Sequence, residues 1–180
     1  MDRPLLSILD QAYDRRSWHG TSLRGSLRRV SSPQAAWRPA PGRHNIGELV
    51  VHCAYWKYAV WRRLAGGARG SFPLQGSNWF ARAGDAGEDA WRADVALLDR
   101  MHAMLREAAA GLSESELGRV PEGGRVTIFN LLSGVAAHDL YHAGQVQLLK
   151  RLWSAALRRE GHGLTEETQS IGDNRKGWSG

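Results

Sequence analysis

Two of the seven histidines in this 180-residue chain, His138 and His142, stand four apart in the run Ala137-His138-Asp139-Leu140-Tyr141-His142-Ala143-Gly144-Gln145. In a helix, where one turn rises about 5.4 Å, residues at this spacing share a face, so both rings can turn a nitrogen toward one metal ion. A third donor is needed. The best candidate is His52, within the mostly apolar stretch Leu49-Val50-Val51-His52-Cys53-Ala54-Tyr55-Trp56. A buried imidazole without a partner costs about 1–3 kcal/mol, and a shared cation would supply the partner. Three neutral imidazoles on a divalent ion leave positions open for water or substrate, as in a catalytic rather than a structural site. Zn, Ni and Fe all accept such ligands. An ion with an open position lowers the pKa of a bound water or thiol and stabilises negative charge on a substrate oxygen, so the nucleophile would be a hydroxide or a thiolate.

The neighbours of this trio offer weaker candidates for catalysis. Glu48 lies one turn before His52 and could reach the ion or orient a ligand, yet it also occupies the N3 position after Asn45, where a capping box accounts for it. Tyr141, three residues after His138, could donate to an oxyanion or sit in the core with its hydroxyl at the rim. Gln145, three after His142, could bond an imidazole or another helix. Asp139 adjoins a ligand and so projects off the metal face, toward a salt bridge or another helix. Cys53 points about 100 degrees away from His52 and is expected to pack in the core. Gly144 costs a helix about 1 kcal/mol relative to Ala, which points to close approach by another helix or side chain. Trp56, Trp79, Phe80 and Trp153 could wall an apolar pocket, with most of them in the core. His19, His44, His102 and His162 lie in no motif, and His44 reads as a loop residue.

Four helices are needed to position these groups. Leu5, Leu6, Ile8, Leu9, Ala12, Tyr13, Trp18, Leu23, Leu27 and Val30 form an apolar stripe at helical spacing, predicting a first helix over 4–30, loosened near Gly20 and Gly25. Prolines 33, 39 and 41 exclude regular structure until Asn45, an N-cap for a second helix over 45–65 that stops at Gly66-Gly67. The Gly- and Ser-rich connection 66–86 contains Phe72, Trp79 and Phe80, so it is expected to pack as a lid or site wall. A third helix is predicted over 87–111, ending at Gly111. The fourth is capped by Thr127 and runs to about Arg159, followed by a polar, flexible tail over 161–180. No strand alternation appears, so the fold class is all-α, a four-helix bundle over residues 1–160. Two of the three connections are long enough to cross the end of a bundle, and a simple up-down-up-down order is not assured.

Composition narrows the function classes. At 19.9 kDa the chain can bury a core without a staple, so a metal would be functional rather than structural. The single cysteine cannot form an internal bridge, no secretion signal is evident, and a cytoplasmic location is expected. No apolar stretch approaches the roughly 18–20 residues of a membrane span. The net charge of +6 and pI near 10.1 admit a nucleic-acid partner, but the arginines are spread along the chain among acidic residues, as on solvated helix faces.

The segment from His138 to Gln145, together with His52 in a helix opening Asn45-Ile46-Gly47-Glu48-Leu49, resembles the DinB/YfiT-like superfamily of small metal-binding helical bundles. The resemblance covers residues 5 to 159. It implies that His52, His138 and His142 bind a divalent metal near one end of the bundle, often in a homodimer. Members with understood activities transfer or isomerise substrates using low-molecular-weight thiols such as bacillithiol, mycothiol or glutathione, and others are described as metal-dependent hydrolases. The resemblance therefore implies an enzyme that delivers such a thiol, or a metal-bound hydroxide, to a small electrophilic substrate. The alternatives from other classes are a non-catalytic metal- or ligand-binding bundle and, ranked last, a basic nucleic-acid binder.

Overall fold

A computed structural model describes residues 4–66, 70–82 and 87–173, with side chains as far as residue 159. The described residues form helices and irregular segments with no strand: α1 (Pro4–Tyr13), α2 (Leu23–Ser26), α3 (Ser32–Ala36), α4 (Ile46–Ala65), α5 (Gly87–Gly111), α6 (Glu114–Leu117) and α7 (Ile128–Asp173). The all-α expectation holds.

The helices that carry the histidines begin and end where local chemistry dictates. The Asn45 side chain accepts the Glu48 backbone N–H at 2.8 Å, satisfying a donor that the first turn of α4 would otherwise leave unpaired. Gly66 closes the helix in the left-handed region, φ 66°, with its N–H on the Arg62 carbonyl. Thr127 Oγ1 accepts the Asn130 N–H at 3.2 Å and opens α7. That helix continues to Asp173, well past the expected end near Arg159; residues 174–180 of the expected tail lie outside the described residues.

The predicted helix over 4–30 is broken. α1 stops at Tyr13, Gly20 takes φ 109°, and Ser22 starts α2 by accepting the Gly25 N–H at 3.2 Å. Trp18, assigned to the apolar stripe, is 95% exposed. Leu23, Leu27 and Val30 are nonetheless buried, so the stripe identified core residues but joined two segments that a turn separates.

Packing closes a ring of four helices: α4 lies against α5 and α7, and α1 against α7 and α5. Two apolar clusters fill it. One gathers Val50, Ala54, Leu98, Met101, Ala143 and Val146; the other gathers Leu9, Val60, Leu105, Leu132 and Ala136. Each buried Leu or Val contributes about 1.5–3 kcal/mol relative to exposure. The order in which each helix visits the clusters fixes its direction. α4 and α5 pass from the first cluster to the second, and α7 passes from the second to the first. α4 and α5 therefore run parallel, and the described connecting residues 70–82 run back along α4, Ser71 beside Tyr58 and Asn78 beside His52. Between the clusters lies a polar layer of one residue from each helix: Tyr13, Lys57, His102 and Asp139.

Candidate metal centre

His52 on α4 meets His138 and His142 on α7, bringing the candidate third donor to the pair that shares a face. His52 Nε2 lies 3.1 Å from His138 Nε2, and His142 Nε2 lies 3.0 Å from the same atom. Ligand atoms of all three rings fall within 4.8 Å of one another.

The other ring nitrogen of two of these residues is already engaged. His52 Nδ1 is 2.8 Å from the Asn78 carbonyl, which can only accept, so Nδ1 carries the proton and Nε2 keeps its lone pair. His142 Nδ1 is 2.7 Å from Gln145 Oε1, with the same consequence. Burial lowers all three pKa values, that of His138 to about 3, with the neighbouring imidazoles adding to the effect, and that of His142 to about 4 against the opposing Gln145 bond. His52 is lowered chiefly by burial. All three are neutral at pH 7, the form that ligates a metal.

This arrangement fits a divalent ion. Two imidazole nitrogens each about 2.0–2.1 Å from a shared ion stand roughly 2.9–3.4 Å apart for ordinary coordination angles, and the observed separations are 3.0 and 3.1 Å. Lone pairs aimed at one another at this distance repel unless a cation or proton lies between them.

The connection 70–82 walls the centre. Trp79 is sandwiched between His52, 3.9 Å away and 9° from parallel, and His44, 3.6 Å away and 7° from parallel. Asn78, at φ 63°, holds His52 through its carbonyl and accepts the Trp56 indole N–H at 3.0 Å through its side chain. Left-handed backbone is tolerated by Asn better than by most residues. A cleft of about 500 Å³ opens beside the centre, lined by Arg43, Leu49, Trp79, Tyr141, His142 and Gln145 among others.

Several expectations are refined. Glu48 does not complete a capping box: its carboxylate binds Arg38 at 2.9 and 2.5 Å and His44 Nδ1 at 2.8 Å. Gln145 bonds an imidazole, one of its two proposed roles. Tyr141 is not a core residue; it is 64% exposed at the mouth of the cleft. Cys53 and Phe80 are buried core, and Trp153 meets Trp37 edge-on at 5.7 Å. No close approach surrounds Gly144, where an added Cβ would meet open space. Asp139 forms the anticipated salt bridge, with Lys57. The side chain of His162 lies outside those described.

Sequence reasoning missed His44, Asn78, Trp79 as a stacking residue, and Lys57. Trp79 was foreseen only as a pocket wall, and Lys57 left a trace in the pattern: it stands four after Cys53 and three before Val60, on the inner stripe of α4 where an apolar residue belongs.

A family model of the DinB superfamily matches residues 15–146. A crystal structure titled as a conserved protein of a locus from Enterococcus faecalis is similar over 83% of this chain and 94% of that chain, with a TM-score of 0.59 and 17% identity. That likeness shows a shared fold. No curated protein matches the chain.

Proposed function

The chain belongs to the DinB superfamily, and on that footing we propose that it is a metal-dependent enzyme whose His52, His138 and His142 hold one divalent ion. In this reading it delivers a low-molecular-weight thiol, or water, to a small electrophile bound in the adjoining cleft. The observation that carries the reading is the convergence of three neutral Nε2 atoms within ligand spacing, two of them with the tautomer fixed by a second bond. A bound divalent ion would lower the pKa of a thiol or water and stabilise negative charge on the substrate.

The chain's own residues do the remaining work. Asn78 and Gln145 hold the rings of His52 and His142 in orientation. Trp79 covers one face of His52 and excludes water from it. Leu49, Leu148, Leu149 and Leu152 give the cleft apolar walls, while Arg43, Tyr141 and Gln145 offer donors along them. We assign Gln145 and Tyr141 as the candidates for contact with substrate. Glu48, committed to Arg38 and His44, positions the start of α4 instead. Residues 1–160 are the functional unit, followed by a C-terminal extension over 161–180 into which α7 continues as far as Asp173. Homodimerisation is expected, as the resemblance implies, although the three imidazoles all come from one chain. Arg24, Arg38, Arg82 and Arg106 are each paired with a carboxylate, which weakens the nucleic-acid reading. Among the described residues no helix is long and apolar enough to cross a membrane.

The test is a panel of low-molecular-weight thiols and small electrophiles, with hydrolysis followed in parallel, applied to protein loaded with zinc, nickel or iron. Turnover that falls about 100-fold or more in His142→Ala, with the helical spectrum intact, is the expected result. A metal-loaded wild type inert across the panel, or a His142→Ala variant as active as wild type, would contradict it.

A further inference from the structure

His138 differs from the other two candidate ligands. Its Nδ1 is buried and has no hydrogen-bond partner, and the only other such side-chain atoms among the described residues are Asp139 Oδ1 and Arg82 Nε. Two of these three orphans, a potential donor and a potential acceptor, belong to adjacent residues. A ring nitrogen of His138, a carboxylate oxygen of Asp139 and Cys53 Sγ lie within 4.8 Å of one another. Two polar atoms bridged by one ordered water stand roughly 4.5–5 Å apart, so a separation within this bound admits a bridging water, or a direct bond once the side chains turn toward each other.

The opposite end of the carboxylate is fixed. Lys57 Nζ donates to Asp139 Oδ2, with the two side chains 0% and 1% exposed. The ammonium's remaining neighbours are His102 Nδ1 at 3.4 Å and the face of Tyr13, 4.7 Å from the ring centre. Tyr13 stacks on His102 at 3.7 Å and donates its hydroxyl to Asp99, which also accepts from Arg24 at 2.9 Å. Burying an ion pair seldom stabilises a fold better than apolar side chains of the same volume. The pair's place beside a ligand gives it another use.

We propose that Asp139, anchored by Lys57, accepts the Nδ1–H of His138 directly or through one water and thereby turns that ring's Nε2 toward the metal. It would complete for His138 what the Asn78 carbonyl does for His52 and Gln145 for His142. Asp139 and Lys57 are then positioning residues. The inference rests on the metal reading above, since it is the ion on Nε2 that leaves the His138 proton on Nδ1. The group Cys53, His138 and Asp139 is not argued as a second metal site, because the Lys57 ammonium already supplies the cation at Asp139.

The test uses the full chain titrated with zinc alone, as wild type, Lys57→Met/Asp139→Leu and Lys57→Met/Asp139→Asn. The paired substitutions remove both charges together, so no lone buried charge is left to unfold the protein. The Leu variant is expected to bind zinc about 10–100-fold more weakly, while the Asn variant, whose amide oxygen still accepts, stays within a few-fold of wild type. Equal affinity of wild type and the Leu variant would overturn the inference, and so would an equal loss in both variants, which would assign the effect to packing. A long-range proton–nitrogen NMR spectrum of zinc-loaded wild type decides the point even if the Leu variant does not fold. A slowly exchanging proton on His138 Nδ1 supports the inference; an Nδ1 proton lost to rapid exchange overturns it. Failure of wild type to bind any divalent ion would instead sink the metal reading.

Discussion

The Glu48 carboxylate is buried at the start of α4, and burial alone would raise its pKa. The hydrogen bonds from Arg38 and His44 outweigh burial and hold it down at about 2. A carboxyl depressed in this way contributes stability that is fully present above its ordinary value of 4.5 and is lost as the pH falls through about 2. Glu48→Gln is therefore expected to be less stable than wild type by about 1–3 kcal/mol near pH 6, with the difference shrinking between pH 4.5 and pH 2 in thermal melts. A difference independent of pH would contradict this role. The pairing of His138 and His142 is legible because spacing along a helix determines which side chains share a face, and His52 stands out as an imidazole in an apolar stretch of another helix. The residues that orient them are not legible in this way. Asn78 and Trp79 reach His52 through an irregular connection whose path is set by the buried Phe72 and Phe80, and no short-range pattern encodes that path.

At the level of elements, α4, α5 and the start of α7 were readable because caps and stop residues act locally: Asn45, Gly66, Gly111 and Thr127 all stand at helix ends. The first helix divides because Trp18 alone links the apolar stripes on either side of residues 15–22, where Gly20 and the Ser22 cap impose a turn. The long α7 was cut short at Arg159 because the polarity of the residues beyond it was read as the end of the helix. Asn45 does more than cap. Its amide also donates to the Ala36 carbonyl at 3.2 Å, tying α3 to the helix that carries His52. Asn45→Ala is expected to cost about 1–2 kcal/mol and to lower the melting temperature by roughly 2–8 °C for a chain of this size. An unchanged melting temperature would show that water replaces the cap.

Across the whole molecule, the ring of α1, α5, α4 and α7 meets at Lys57, whose neighbours Tyr13, His102 and Asp139 come one from each of the other three helices. Sequence patterns locate the inner faces of the long helices but not α3, which forms where prolines were expected to exclude regular structure because Pro33 fits a first helical turn; the parallel course of α4 and α5 follows from which cluster each end joins, a tertiary fact. Lys57→Met alone leaves Asp139 buried without its cation and is expected to destabilise the fold by about 3–5 kcal/mol, measured by denaturant unfolding. A loss below about 1 kcal/mol would mean that Asp139 takes up a proton there at little cost. The central claim is that His52, His138 and His142 together hold one divalent ion. Elemental analysis of chain purified without chelator, beside His52→Ala/His138→Ala/His142→Ala, tests it most directly. One zinc, nickel or iron per wild-type chain and none in the variant is the expected result; a wild type without metal, or a variant that keeps it, would overturn the three-histidine site.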